Sequence, residues 1–194
     1  MPELKVCGVT NPEDAEVAVE AGASYVGVII DAPSPRLVGP EAARDVASVL
    51  PSHVKPVGVV DARKPLDLDK VLNSGVKVVQ LHWGDESSFL RAKLLLEGYG
   101  VSVAVAPLRA TPFKYAGAEY VLWDKKSFEE KFVSWGARWT KVGVAGKVTP
   151  ENVKEVVALF KPDLIDVSSG VEVKPGVKDP EKVMKVAEVI GLAL

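Results

Sequence analysis

Short valine-rich runs recur along this chain at regular intervals, each followed by an amphipathic stretch. No other feature of the sequence constrains its fold as tightly. The runs occupy residues 4–7, 25–30, 55–60, 76–82, 101–106, 120–124, 141–145 and 164–167. They are mostly apolar without alternation, as strands of a parallel sheet buried on both faces must be. Helices are predicted over residues 12–21, 40–50, 65–73, 87–97, 128–135, 150–160 and 180–192. Asn11-Pro12, Thr149-Pro150 and Asp179-Pro180 each set a capping side chain before a proline at the first helical position. Gly22, Gly75, Gly98 and Gly136 mark helix ends. Residues 108–117 hold Pro112 and are too few for a helix with its loops, so the fifth crossover is predicted to be shortened or irregular.

Eight strands predict an α/β fold, a compact single-domain (β/α)8 TIM barrel spanning residues 1–194. Such barrels typically need about 250 residues, so a chain of 194 demands very short loops. An open eight-stranded sheet is the other topology the pattern allows.

Apolar residues make up 47% and charged residues 26%, which excludes a disordered chain. The net charge is −2 and no long basic run occurs, so neither nucleic acid nor an acidic membrane surface is an expected partner. No apolar run approaches the roughly 20 residues that cross a bilayer, and no signal peptide is expected. One cysteine permits no internal disulfide and suits a reducing, cytoplasmic setting. Three Asn and one Gln among many Val, Lys and Glu match the bias of heat-adapted proteins.

Chemistry in such barrels sits where strands end. Cys7 ends the first strand, as a thiolate base or equally as a small buried hydrophobe. Asp124 ends the sixth and suits a general acid or a cap for the segment after it. Arg36, on the proline-stiffened Ser34-Pro35-Arg36 loop, could grip a carboxylate or lie solvated at the surface. Gln80 and His82 end the fourth strand, and His82 has no His or Cys at metal-ligand spacing. Gly146-Lys147 and Ser168-Ser169-Gly170 follow the seventh and eighth strands, the usual phosphate site of these barrels. A pair of tight turns is the bland reading of those two segments. Neither a P-loop nor a dinucleotide glycine fingerprint is present.

In combination, KVCGVTNPEDA from Lys5, SPR at Ser34–Arg36, VQLH from Val79, and DVSSGVE from Asp166 running on into PGVKD resemble the phosphoribosylanthranilate isomerase family of tryptophan biosynthesis. The matches run from the first strand to the last helix. The resemblance implies a cofactor-free, metal-free Amadori rearrangement of a small phosphosugar substrate by a monomer or homodimer. It implies Cys7 as general base and Asp124 as general acid. It assigns Arg36 to the anthranilate carboxylate, and Gly146, Ser168, Ser169 and Gly170 to phosphate, with Lys147 able to add charge there.

Several segments depart from the family pattern. Lys125–Lys131 replace a glycine-rich segment, Gly146-Lys147 replaces a glycine pair, Trp83 intrudes after Gln80-Leu81-His82, and the fifth strand ends in Ala106-Pro107. A barrel that keeps phosphate binding but has lost catalysis, acting as a binding or interaction protein, is the competing reading. The related histidine-pathway isomerases use aspartates at the ends of strands one and five, where Cys7 and Ala106-Pro107 stand here.

Overall fold

The computed structural model describes residues 1–108, 115–124 and 140–192. Strands β1 (Glu3–Cys7), β2 (Tyr25–Asp31), β3 (Lys55–Asp61), β4 (Val78–Gly84), β5 (Ser102–Pro107), β6 (Val121–Asp124), β7 (Val142–Ala145) and β8 (Leu164–Val167) form a closed parallel barrel in sequence order. Helices α1 (Pro12–Glu20), α2 (Pro40–Ser48), α3 (Leu68–Asn73), α4 (Glu86–Leu96), α5 (Val153–Phe160) and α6 (Pro180–Ile190) lie between and after them. Direct pairing of β1 with β8 closes the ring and eliminates the open sheet. The predicted helix over residues 128–135, and residues 109–114 of the fifth crossover, lie outside the described residues.

The unbroken apolar runs follow from burial in two separate cores. One face of the strands, with Leu4, Val6, Val26, Val28, Ile165 and Val167, packs against helix residues such as Ala15, Val46, Phe89 and Val186. The other face fills the barrel with Tyr25, Val57, Val78, Ala104, Tyr120, Leu122 and Leu164. Polar side chains enter the barrel in matched pairs, as burial requires. Lys5 Nζ lies 2.8 Å from Asp166 Oδ1, and Tyr120 donates to Gln80 Oε1 at 2.9 Å. At the N-terminal mouth, Lys141 bridges Glu3 at 2.5 Å, while Tyr25 and Lys55 both donate to Glu119 at 2.8 and 2.7 Å.

Local capping accounts for the element boundaries. Asn11 and Asp179 accept from Asp14 N–H and Lys182 N–H as expected. Gly22, Gly75 and Gly98 take positive φ beyond their helices. Thr149, however, does not cap α5. Asn152 folds back, accepting from Thr149 N–H and donating to the Lys147 carbonyl, while Val153 N–H bonds to the Thr149 carbonyl; the turn thus opens at Thr149 and the regular helix at Val153. Likewise α3 starts at Leu68 rather than residue 65, because Asp67 accepts from Lys70 N–H. After β8 the chain makes a 3-10 turn, Ser169–Val171, and a small hairpin, β9 (Glu172–Lys174) and β10 (Val177–Lys178), which the sequence reading missed.

The Lys5–Asp166 pair yields a stability prediction. Asp166→Ala leaves a wholly buried ammonium unpaired and should destabilise the protein by about 3–5 kcal/mol in denaturant titrations. Replacing both partners together, as Lys5→Met with Asp166→Leu, should recover most of that loss. Equal losses in the single and double variants would show that the pair is not what the interior requires.

Candidate active site

A cavity of about 580 Å³ opens at the C-terminal mouth of the barrel. It brings together Cys7 from β1, Arg36 from the loop after β2, Gln80 and His82 from β4, and Asp124 from β6. Gly146 and Lys147 line it after β7, and Ser168 and Ser169 after β8. Of the residues singled out in the sequence, only Gly170 does not line it. A Cβ at Gly170 would stand 1.9 Å from the Val148 carbonyl oxygen, so this glycine lets the β7 and β8 loops close on one another. Gly146 and Lys147 both adopt left-handed backbone, with φ of 93° and 53°. Lysine thus holds a conformation that glycine takes without cost, at about 1 kcal/mol.

Glycines also make the room around Cys7. A Cβ at Gly27, its partner in β2, would lie 2.8 Å from Cys7 Sγ. Gly8, at φ 73°, leaves space for Arg36 and Ser168 to approach. Cations surround the cysteine. Lys178 Nζ donates to the Cys7 carbonyl at 2.6 Å, and both Lys5 and Arg36 are close enough to interact electrostatically with it.

Arg36 is not free in this structure, contrary to a simple reading of the loop. Its Nε and Nη2 donate to the two carboxylate oxygens of Glu172 at 2.7 and 2.6 Å, the bidentate geometry that guanidinium favours. Lys178 donates to the same carboxylate at 2.8 Å. Burial pushes the Glu172 carboxyl up, but Arg36 and Lys178 pull harder and hold it at about 2. Glu172 therefore ties the hairpin after β8 to the loop after β2 and, through Lys178, to the end of β1. The sequence reading passed over Glu172 and Lys178 although both stand inside the quoted DVSSGVE and PGVKD segments. It also passed over Lys5 and Asp166, whose charge within otherwise apolar strands was the available signal.

Within the barrel, burial works against the Lys5 charge, yet Asp166 outweighs it and keeps the ammonium pKa above the ordinary lysine value. Burial lowers the His82 pKa, with Lys5 adding to the effect, which favours the neutral imidazole. Gln80 is buried and oriented by Tyr120. Asp124 is exposed at the rim, and residues 125–139 after it lie outside the described residues.

These features have counterparts in known proteins. The family model for N-(5'phosphoribosyl)anthranilate (PRA) isomerase matches residues 4–189. The N-(5'-phosphoribosyl)anthranilate isomerase of Citrifermentans bemidjiense is 35% identical over 208 residues, covering 100% of both chains. The crystal structure of phosphoribosyl anthranilate isomerase from Thermotoga maritima superposes with a TM-score of 0.78 at 30% identity, covering 97% of this chain and 98% of that one. A phosphoribosyl anthranilate isomerase in complex with reduced 1-(o-carboxyphenylamino)-1-deoxyribulose 5-phosphate gives a TM-score of 0.79 at 29% identity over 97% of each chain. From its first strand to its last helix, this chain belongs to the N-(5'-phosphoribosyl)anthranilate isomerase family.

Proposed function

We propose that this protein converts N-(5'-phosphoribosyl)anthranilate to 1-(2-carboxyphenylamino)-1-deoxyribulose 5-phosphate, an Amadori rearrangement of tryptophan biosynthesis. The observation that carries the reading is one cavity lined by Cys7, by Asp124 and by the loops after β7 and β8.

The chemistry needs two proton transfers at different positions on the sugar. Asp124, as a carboxylic acid, gives its proton to the ring oxygen. The bond from that oxygen to C1' breaks, and the anilinic nitrogen supplies the electron pair that makes C1'=N. Cys7, as a thiolate, then takes the C2' proton, and the C–H electrons form C1'=C2' while the C1'=N pair returns to nitrogen. The resulting enolamine tautomerises to the ketone: a proton leaves the enol oxygen and one arrives at C1'. No oxidant or reductant is consumed.

The two groups must work in opposite protonation states. The base role is supported by position: Cys7 lines the cavity, and Lys178 fixes the end of β1 through the Cys7 carbonyl. Ser168, Ser169 and Gly146 hold the phosphate, with Gly170 keeping their loops together and Lys147 adding charge at the cavity wall. Arg36 serves the anthranilate carboxylate from a position fixed by Glu172, with His82 and Gln80 bounding the substrate on the β4 side.

General acid–base catalysis by a single group is worth about 10²–10⁴-fold. Cys7→Ser and Asp124→Asn should each lower kcat by at least that range while KM changes much less, since the anchoring groups remain. Near-normal kcat in a folded Cys7→Ser protein would overturn the base assignment, and in Asp124→Asn it would move the acid elsewhere.

Two further variants address the phosphate loops. Gly170→Ala forces the β7 and β8 loops apart and should raise both KM and the inhibition constant of inorganic phosphate by tenfold or more. Lys147→Ala should raise KM several-fold with kcat little changed, and the effect should shrink with added salt. Unaltered phosphate inhibition in Gly170→Ala would place the anion elsewhere.

A further inference from the structure

The departure from the family pattern at Trp83 has a defined structure. In the β4–β5 ladder His82 pairs with Ala106 and Gly84 with Pro107, so Trp83 is an extra residue bulged out of that ladder. It adopts φ 61°, a backbone conformation rare for bulky side chains and concentrated at functional sites. The indole is held in place by its neighbours. Its ring centroid lies 4.3 Å from that of His82, at 46°, and Arg63 Cζ stands 3.9 Å from the indole centroid. Arg63 is itself fixed by two hydrogen bonds to the buried carboxylate of Asp61, at 2.9 and 2.8 Å.

Trp83 is half-buried and lines the active-site cavity, with Ala106, Pro107 and Leu108 beside it. In a closed ring of eight strands, β4 lies across the mouth from β8. This apolar wall therefore faces the Ser168-Ser169 loop. A ligand whose phosphate sits on that loop and whose sugar spans the mouth presents its far end to the indole.

We propose that Trp83 is a specificity-determining residue whose indole packs against the aryl ring of the N-aryl phosphosugar. The inference rests on the reading under Proposed function. Aromatic pairs prefer offset or edge-on packing, and a ring already pinned by Arg63 and His82 loses little freedom when it takes a partner. The wall thereby selects for the aryl group and leaves the phosphate and ribose contacts untouched.

The test uses Trp83→Asn, which removes the ring but tolerates left-handed backbone, and Trp83→Phe, which keeps a ring. A variant that loses cooperative thermal unfolding is replaced by Trp83→Gly, which suits positive φ. Titration calorimetry with two ligands, the reduced aryl product 1-(o-carboxyphenylamino)-1-deoxyribulose 5-phosphate and ribose 5-phosphate, is combined with steady-state kinetics. Trp83→Asn should weaken the aryl ligand and raise KM by about tenfold, leave ribose 5-phosphate affinity unchanged, and keep kcat within about twofold. Trp83→Phe should recover most of the aryl affinity.

Equal weakening of both ligands would make Trp83 a general support of the mouth, and a fall in kcat alone would make it a positioning residue for His82. Either result, or no change at all, overturns the proposal while leaving the isomerase reading intact. Failure of the unaltered protein to bind the aryl ligand overturns both.

Discussion

The seam between β1 and β8 is the constraint from which the rest of the structure follows. It pairs the first strand with one more than 150 residues later, in register from Glu3↔Leu164 to Val6↔Val167. The same register sets Lys5 against Asp166 inside the barrel, where an isolated charge would be prohibitively costly and a 2.8 Å ion pair is tolerable. Two residues further along the two strands, closure carries Cys7 to the cavity beside Ser168. Without that seam Cys7 and the Ser168-Ser169 loop would lie at opposite edges of a sheet. With it, both line one cavity, and Asp124 reaches the same rim from β6.

Glu172 provides a second tie across the seam. Its carboxylate receives Arg36 from one side and Lys178 from the other, and Lys178 continues to the Cys7 carbonyl. Three loops far apart in sequence are thereby held to one another by nearly buried, charge-assisted hydrogen bonds, which are stronger than neutral ones. Rigid support of this kind keeps the side chains that line the cavity at fixed positions relative to one another.

The fold was legible because both faces of every strand are buried, which wrote eight apolar runs into the sequence at regular spacing. The strand-end residues were legible for the same reason, since polar side chains are rare in such runs. Lys5 and Asp166 escaped notice because a charge in a strand gains its meaning only from a partner 161 positions away. Arg36 was read as a grip for a carboxylate or as a solvated surface residue because nothing local announces Glu172, which reaches it through the hairpin after β8. At Thr149 the expected turn is present, with Val153 N–H bonded to its carbonyl, but the side chain that closes it is that of Asn152, three residues on. Where this chain departs from its family, Lys147 accepts left-handed backbone in place of a glycine and Trp83 is absorbed as a bulge, so neither change disrupts the cavity. The altered segment Lys125–Lys131, on which the reading as a non-catalytic barrel relied, lies outside the described residues.

The most direct measurement is turnover by the purified, unaltered protein, followed as the loss of phosphoribosylanthranilate fluorescence in chelator-treated buffer without added cofactor. The account predicts first-order decay at a rate proportional to protein concentration, with one equivalent of the aminoketose formed for each equivalent of substrate consumed. Decay no faster than the uncatalysed background, from protein that binds the aryl product, would contradict it and leave a barrel that binds without catalysing.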